Sequence, residues 1–242
     1  MKWWIGCSGF HYKEWNKVFY PEDLPQKNWF NFYCQHFNTL ELNVTFYRFP
    51  QVKFLQNWYD KSPDDFCFSV KVPRLITHYK KFSDTTRMLS DFYGSVREGL
   101  KDKLGPVLFQ LPRQIAYTDE WLQRILSAID KSFINVVEFR HSSWWNQAVY
   151  KQMAKHRLTF CSTSYPQLPD ELVINSPVIY YRFHGMKKLY RSRYSKAVLK
   201  GIVARVMEEK KIKQAFFYFD NTAEGNAIIN AKELQRMAKS TY

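Results

Sequence analysis

Eight short segments rich in β-branched and aromatic residues recur along the 242-residue chain, and their number and spacing constrain the fold more than any other feature. Runs with helical periodicity lie between most of them, for example at 29–37, 120–129 and 196–209. Strands that alternate with helices in this way predict an α/β protein with a closed (β/α)8 TIM-type barrel. The predicted strands are 3–9, 39–47, 66–74, 104–112, 134–141, 158–166, 178–185 and 215–221.

A single domain over residues 1–242 is predicted, because no low-complexity linker or charge block divides the chain. One unit of the barrel is thin: the segment 167–177, QLPDELVINSP, leaves room for only a degenerate helix between strands 6 and 7. An open doubly wound sheet is the alternative fold. It usually carries a glycine-rich phosphate loop after its first strand, and GCSGF at 6–10 is not that nucleotide-cofactor motif.

The composition favours an anionic partner, since 36 Lys and Arg outnumber 22 Asp and Glu and give a formal charge of +14. No apolar run is long enough for a secretion signal or a membrane span, so we expect a cytoplasmic protein with no membrane partner. The four cysteines are far apart in the sequence and favour reduced thiols over a disulfide framework or a zinc cluster. The oligomeric state is left open.

Alternation within the strands predicts a polar cluster inside the barrel. The face of each strand that contacts helices must be apolar, so the polar residues point inward and gather at the carboxyl ends of the strands. In the stretch INVVEFRHSSWW at 134–145, Glu138 and Arg140 are therefore expected to face the mouth, while Val137 and Phe139 pack against helices. The full inward set comprises Glu41, Asn43, Lys71, Gln110, Glu138, Arg140, Arg182, His184 and Asp220.

These charges have a purely structural interpretation, in which they satisfy one another as a buried network. Glu138 would pair with Arg140 or Arg182, and Glu41 with Lys71. A barrel does not need so many buried ions merely to fold, which favours a ligand site instead.

The functional interpretation is an anion site with acid/base capability at the barrel mouth. Glu138 is the candidate general base and His184 the candidate acid, with His141 or His78 as alternatives for the acid. Glu41 and Lys71 are further catalytic candidates. A Schiff base on Lys71 is a further alternative. The predicted substrate-binding residues are Asn43, Arg74, His78, Gln110, Arg140, His141, Trp144, Arg182, Asp220 and Asn221.

Metal chemistry has weaker support, because no HxH, HExxH or facial-triad spacing occurs. A divalent metal stays open only through convergence of Glu41, Glu138, His184 and Asp220 in space. The cofactor requirement is therefore unknown.

The segment 184–196, HGMKKLYRSRYSK, mixes basic and aromatic residues after the seventh strand. Loops at this place hold phosphate in many barrels, and the same composition suits nucleic acid; a solvated surface loop is the plain alternative. Aromatic residues near other strand ends, Trp15, Tyr47, Trp144 and Trp145, either stack on a ligand or pack as a roof. The predicted phosphate-binding residues of the loop are Lys187, Lys188, Arg191, Arg193 and Tyr194.

Long motifs across nearly the whole chain resemble those of the YecE-like family, a domain of unknown function with the number seventy-two. They are IGCSGFHYKEWNKVFYPEDLP, FNTLELNVTFYRFP, FSVKVPRLITH, KLGPVLFQLP, VVEFRHSSWW, YYRFHG and YFDN. The resemblance implies a TIM-type barrel but supplies no reaction. The motif residues that it carries over are Glu41, Asn43, Lys71, Arg74, His78, Gln110, Glu138, Arg140, His141, Trp144, Arg182, His184 and Asn221.

The chain departs from the family pattern at three positions. Cys7 and Phe10 stand where the family more often has Thr and Trp, and Asp220 stands where it usually has Asn. The extra carboxylate lowers the positive charge of the mouth and puts in doubt any mechanism that needs a neutral amide there.

Three functional hypotheses follow from the sequence. The first is an enzyme that uses acid/base chemistry on a phosphorylated or otherwise anionic small molecule, such as a sugar or nucleotide derivative; hydrolase, isomerase and lyase chemistry are not distinguished, since the fold hosts them all. The second is a nucleic-acid-binding protein or nuclease. The third is a ligand-binding protein without turnover.

Overall fold

The structure is a computed structural model that describes residues 1–240. Eight parallel strands form a closed barrel in sequence order, with β8 paired back to β1, as predicted. The strands are β1 (Lys2–Ser8), β2 (Thr39–Leu42), β3 (Cys67–Lys71), β4 (Leu104–Gln110), β5 (Asn135–Glu138), β6 (Leu158–Ser164), β7 (Val178–Phe183) and β8 (Gln214–Phe219).

Amphipathic helices surround the barrel, and several begin at side-chain caps. The side chains of Thr118, Asn146 and Ser195 accept backbone N–H groups at the first turns of three of them. The helices are α1 (Trp29–Cys34), α2 (Val44–Tyr47), α3 (Val52–Lys61), α4 (Thr86–Leu100), α5 (Asp119–Ala128), α6 (Gln147–Lys155), α7 (Lys196–Met207) and α8 (Asn226–Lys239), with a single π-helical turn at Leu75–Tyr79.

The second strand is shorter than predicted. It ends at Leu42, and the residues expected to continue it form the helical turn α2. The Thr45 hydroxyl donates to the carbonyl of Leu42 at 3.1 Å and to that of Lys71 at 2.6 Å, so it satisfies the ends of β2 and β3. A β-branched residue therefore closes a turn here, and the extension of the strand to residue 47 was wrong.

The thin unit between β6 and β7 contains no helix in residues 165–177. Side chains fasten the segment to β6 instead. Asn175 Oδ1 accepts from the N–H of Phe160 at 2.9 Å, and Ser162 Oγ accepts from the N–H of Val173 at 2.8 Å. Three prolines in the segment, Pro166, Pro169 and Pro177, disfavour a helix because proline breaks the intrahelical hydrogen bonds.

The barrel interior has an apolar part and a polar part. Inside the barrel, below the mouth, lies a cluster of buried residues that is separate from the larger core between sheet and helices. The interior cluster comprises Trp4, Cys67, Leu108, Val136, Cys161, Tyr180, Phe216 and Tyr218.

Among residues 1–240, no helix combines the length and apolar character needed to cross a bilayer.

Candidate functional site

The carboxyl ends of the strands bring polar side chains together at one end of the barrel, the mouth, as strand alternation predicted. In β5, Glu138 is fully buried inside the barrel, while Val137 and Phe139 pack in the outer core. Strands β1, β2, β3, β6 and β7, with the residue after β7, supply further buried polar side chains. They are Ser8, Glu41, Ser69, Lys71, Thr163, Arg182 and His184.

Arg182 is the centre of this group and is only 1% exposed. Its Nη2 lies 2.7 Å from Glu41 Oε1 and its Nη1 lies 2.7 Å from Glu138 Oε2. A third carboxylate, Asp220, lies 3.6 Å from Nη2. The planar guanidinium suits this arrangement, because its donors form a rigid fork. One cation from β7 thus holds carboxylates from β2, β5 and the end of β8.

His184 and Arg140 complete the group, which we call the Arg182 network: Glu41, Glu138, Arg140, Arg182, His184 and Asp220. His184 Nε2 lies 3.1 Å from Glu138 Oε1. Its Nδ1 lies 2.8 Å from Asp220 Oδ2, but the angle between the two groups does not meet the criteria for a hydrogen bond. Arg140 Nη2 lies 2.8 Å from Glu138 Oε1, and its guanidinium carbon lies 4.2 Å from the centre of the Tyr165 ring.

Of the three ion pairs predicted from the sequence, the structure contains two and excludes one. Glu138 contacts both Arg140 and Arg182. The predicted pair of Glu41 with Lys71 was wrong, because Glu41 binds Arg182 from across the barrel. Closure of the barrel determines which strands face each other across its interior. The spacing of the strands in the sequence does not show which strands these are.

Two residues that sequence reasoning missed hold Glu41 in place. The Tyr180 hydroxyl donates to Glu41 Oε2 at 2.5 Å, and the Ser8 hydroxyl donates to Glu41 Oε1 at 2.6 Å. Tyr180 lies two positions before Arg182, so strand alternation places both on the inner face of β7. That was the available signal. The predicted inward set took only Arg182 and His184 from this strand and left Tyr180 out.

The electrostatics of the network favour the ionised forms of Glu138 and Asp220. Burial alone raises the pKa of Glu138, but Arg140, Arg182 and His184 hold that pKa well below its ordinary value. Burial also raises the pKa of Asp220, and His184 and Arg182 outweigh it, so the net direction is again downward. The pKa of Arg182 is raised well above its ordinary value, because Glu138 and Glu41 outweigh its burial.

These shifts predict that the protein loses stability in acid. Carboxyl groups with lowered pKa values in the folded state bind fewer protons than the unfolded chain, so stability rises with pH through their titration. The contribution is complete above the unfolded pKa, about 4, and is lost as the pH falls toward the lowered folded values of Glu138 and Asp220. Urea unfolding between neutral pH and about pH 3 measures it.

Asp220→Asn is the matched variant for this experiment, since it removes one of the titrating groups. We expect a shallower dependence of the free energy of unfolding on pH in this variant than in the unmodified chain. An identical slope in both proteins would contradict the assignment of Asp220 to the network.

Lys71 lies at the mouth outside these pairs. It is buried at 8% exposure, and its Nζ lies 4.2 Å from the centre of the Phe46 ring. No carboxylate among residues 1–240 lies within ion-pair distance of it. Burial, followed by the nearby charge of Arg182, lowers its pKa to about 8. Lys71 is therefore a buried amine that exchanges protons near neutral pH.

His78 and Arg74 lie on the same side of the mouth as Lys71. The His78 ring packs edge-on against Phe46, with ring centres 5.1 Å apart. Burial, then the positive charges of Lys71, Arg140 and Arg74, lower its pKa to about 4. The Arg74 guanidinium is exposed beside the ring of Tyr79. Several cations thus share this side, and His78 is neutral at physiological pH.

Other predicted binding residues have structural partners. His141 Nδ1 accepts from the backbone N–H of Ser143 at 3.3 Å and caps a short turn. Gln110 donates to the carbonyl of Leu111 at 3.2 Å. Trp144 is fully buried in the outer core, where its ring stacks on that of Phe139.

Of the remaining strand-end aromatics, Trp15 is fully buried and donates through its ring N–H to the carbonyl of Thr222 at 2.8 Å. Trp145 is partly buried and packs edge-on against Phe160. Tyr47 is 65% exposed at the rim, beside Arg74.

The basic segment 184–196 folds over the end of β7. Asn221 donates to the carbonyl of Ser192 at 2.9 Å, and the buried Tyr194 hydroxyl accepts from the N–H of Gly185 at 2.7 Å. Arg193 pairs with Glu233 at 2.8 Å and Arg191 lies 3.8 Å from Glu224, and both arginine side chains are exposed. The structure therefore separates the predicted phosphate loop into anchoring and exposed residues. The exposed ones include Lys187, Lys188 and Arg191.

A cleft of about 380 Å³ opens beside β1 and β2. It is lined mainly by apolar groups, including Phe54 and Trp58, and reaches Glu41. Asn43 also lines it, and its buried Oδ1 has no partner in the described part of the chain.

In residues 1–240, no group of three or more His, Cys, Asp or Glu side chains has an arrangement suited to a metal ion.

Comparisons with known proteins place this geometry in a family. A family model described as "Protein of unknown function DUF72" matches residues 4–242. The chain is 24% identical over 277 residues to the UPF0759 protein YunF of Bacillus subtilis, which covers 99% of this chain and 95% of that protein. It is 26% identical over 121 residues to YecE of Escherichia coli, which covers 50% of this chain and 44% of that one.

A solved structure has the same fold. The crystal structure of a DUF72 family protein from Thermotoga maritima superposes with a TM-score of 0.89 at 27% identity, and the match covers 99% of this chain and all of that one (100%). None of these descriptions names a substrate, a cofactor or a reaction.

Proposed function

The chain belongs to the DUF72 family of proteins of unknown function, and from that premise we propose that it is an enzyme that acts on a small anionic molecule at the barrel mouth. The substrate class is a phosphorylated or carboxylated compound, such as a sugar or nucleotide derivative. The reaction uses acid/base chemistry. The observation that carries the proposal is Lys71, a buried cation at the mouth without a carboxylate partner among residues 1–240.

The charge distribution supports an anion beside Lys71. Arg182 is neutralised by two carboxylates at 2.7 Å each, and Arg140 shares one of them. Lys71 has no such partner in residues 1–240, although leaving an ammonium unpaired at 8% exposure is costly. A bound phosphate or carboxylate would supply the missing negative charge and raise the pKa of Lys71. Arg140 Nε, which is buried and has no partner in the described chain, offers a further donor.

Lys71 is the residue best suited to act as the general acid or base. A group whose pKa lies near the working pH transfers protons most effectively, and that of Lys71 is lowered to about 8. Glu138 and His184, the base and acid proposed from the sequence, are fully buried and bound to each other. We propose that they and Glu41 keep the floor of the site charged and rigid, while Lys71 exchanges the proton with the substrate.

A thermal-shift screen tests the proposal, with inorganic phosphate, sugar phosphates, nucleotides and dicarboxylates as probes at low and moderate salt. A ligand at a hundred times its Kd adds roughly 2.7 kcal/mol, which raises Tm by several degrees. We expect a shift with a small anion that persists at moderate salt and vanishes in Lys71→Met.

Lys187→Met is the matched control, since it removes an exposed lysine from the basic loop. The proposal is contradicted if Lys71→Met retains the full shift. It is also contradicted if only short oligonucleotides give shifts, lost with added salt and in Lys187→Met. That outcome would favour nucleic-acid binding through the exposed loop, because contacts to a phosphate backbone weaken steeply with salt. Binding with no change of the ligand on long incubation would favour a protein without turnover.

A further inference from the structure

We propose that Lys71 forms a Schiff base with the carbonyl group of an anionic aldehyde or ketone. The inference rests on the proposed function, because it names the substrate class of the same site. It begins with the surroundings of the amine. Nζ of Lys71 faces the ring of Phe46 at the end of β3, at 8% exposure.

The other buried lysine of the barrel shows how this fold satisfies an ammonium group. Lys103 is 5% exposed, and its Nζ donates to the carbonyls of Tyr59 and Ser62 at 2.9 and 2.8 Å and to the Ser62 hydroxyl at 3.1 Å. All of its protons have acceptors. In the described chain, by contrast, Lys71 Nζ has no hydrogen-bond acceptor and contacts the face of the Phe46 ring, so its amine is available for a reaction.

The positive groups around Lys71 favour its neutral, nucleophilic form. Burial and the charge of Arg182 lower its pKa to about 8, so a sizeable fraction of the amine is unprotonated near neutral pH. Desolvation and a neighbouring cation are the two means by which enzymes activate lysines for attack on carbonyls. Arg140, which also lowers this pKa, would bind the carboxylate or phosphate of the substrate.

The chemistry balances without a further reactant. The neutral amine attacks the carbonyl carbon, a C–N bond forms, and the carbonyl oxygen takes up the proton released by nitrogen to give a carbinolamine. Loss of the hydroxyl together with the remaining nitrogen proton, as water, breaks the C–O bond and leaves the imine. His78 is suited to relay the proton: it also packs against Phe46, and its pKa is lowered to about 4, so it is neutral. Its Nδ1 lies 2.9 Å from the Thr77 hydroxyl, which leaves Nε2 for the substrate.

Reductive trapping tests the inference. The full chain is incubated with glyoxylate or with glyceraldehyde 3-phosphate near pH 8 in the presence of sodium cyanoborohydride, and the adduct is located by peptide mass spectrometry. We expect a single predominant adduct on Lys71. Lys103, which is also buried, and Lys200, which is exposed on α7, are internal controls. Lys71→Arg should lose this adduct, while Lys200→Arg should retain it; circular dichroism checks that both variants are folded.

The outcomes separate this inference from the proposed function. If neither probe gives a Lys71 adduct above the level at surface lysines, the Schiff base is wrong. The proposed function still stands in that case if carbonyl-free anions, such as glycolate or inorganic phosphate, stabilise the chain and fail to stabilise Lys71→Met. If those anions have no effect either, both proposals fail.

Discussion

Replacement of Arg182 by alanine is expected to lower the free energy of unfolding by about 3–5 kcal/mol, the range for removing one partner from a buried ion pair. The cost is large because Glu41 and Glu138, both at 0% exposure, would lose their common cation and stay buried. For a domain of this size the change corresponds to a fall in Tm on the order of 10 °C. Urea unfolding followed by circular dichroism measures it.

Two control variants show that charge balance is the cause. Arg182→Lys keeps the charge but loses the fork that reaches three carboxylates, so we expect an intermediate loss. The combined variant Arg182→Met, Glu41→Gln, Glu138→Gln removes the charges together and should recover part of the stability, since well-packed neutral groups often replace buried ion networks at little cost. A loss below about 1 kcal/mol in Arg182→Ala would place the pair in the range of surface salt bridges and contradict this account.

Trp144→Ala is expected to cost about 3–5 kcal/mol of stability, the range for truncating a buried large aromatic side chain. The indole is fully buried and stacks on Phe139 with ring centres 4.0 Å apart. Its Nε1 donates to the carbonyl of Ile115 at 2.9 Å, so truncation leaves both a cavity and an unpaired carbonyl. Chemical denaturation of the variant and of the unmodified chain gives the difference.

The neighbouring Trp145 provides the control. It is only partly buried, and its ring N–H has no partner in the described chain, so Trp145→Ala should cost clearly less. This comparison also decides between the two interpretations of the strand-end tryptophans. If Trp144→Ala leaves stability unchanged and weakens only the binding of an anion, Trp144 contacts the ligand and the packing account is wrong.

Strand alternation was enough to predict much of the site. The rule that polar residues point into the barrel correctly placed Glu138 inside and Phe139 outside, because a strand side chain has only two directions. The same rule placed Arg182 and Lys71 at one end, since all strands of a parallel barrel point the same way. The polar floor of the mouth therefore follows from local pattern alone.

The ion-pair partners of Glu41 and Lys71 and the C-terminal end of β2 could not be predicted from the local sequence pattern. Glu41 binds Arg182 from across the barrel, and only closure of the sheet brings the two within 2.7 Å. The isolation of Lys71 is the consequence of that pairing. Thr45 has strand-forming chemistry, yet its hydroxyl bonds carbonyls of β2 and β3 in a helical turn. These outcomes depend on tertiary contacts that override local propensity.

The central claim is that Lys71 is a buried amine that binds an anion. The most direct test is to titrate Lys71 by NMR in protein labelled with ¹³C at the lysine ε-carbon. Lys71→Arg assigns the resonance. The account predicts that the amine titrates at a pKa lowered to about 8, and that the pKa rises when the small anion identified by thermal shift is added. A lysine that titrates at the ordinary value for an exposed side chain and does not respond to the anion would contradict it.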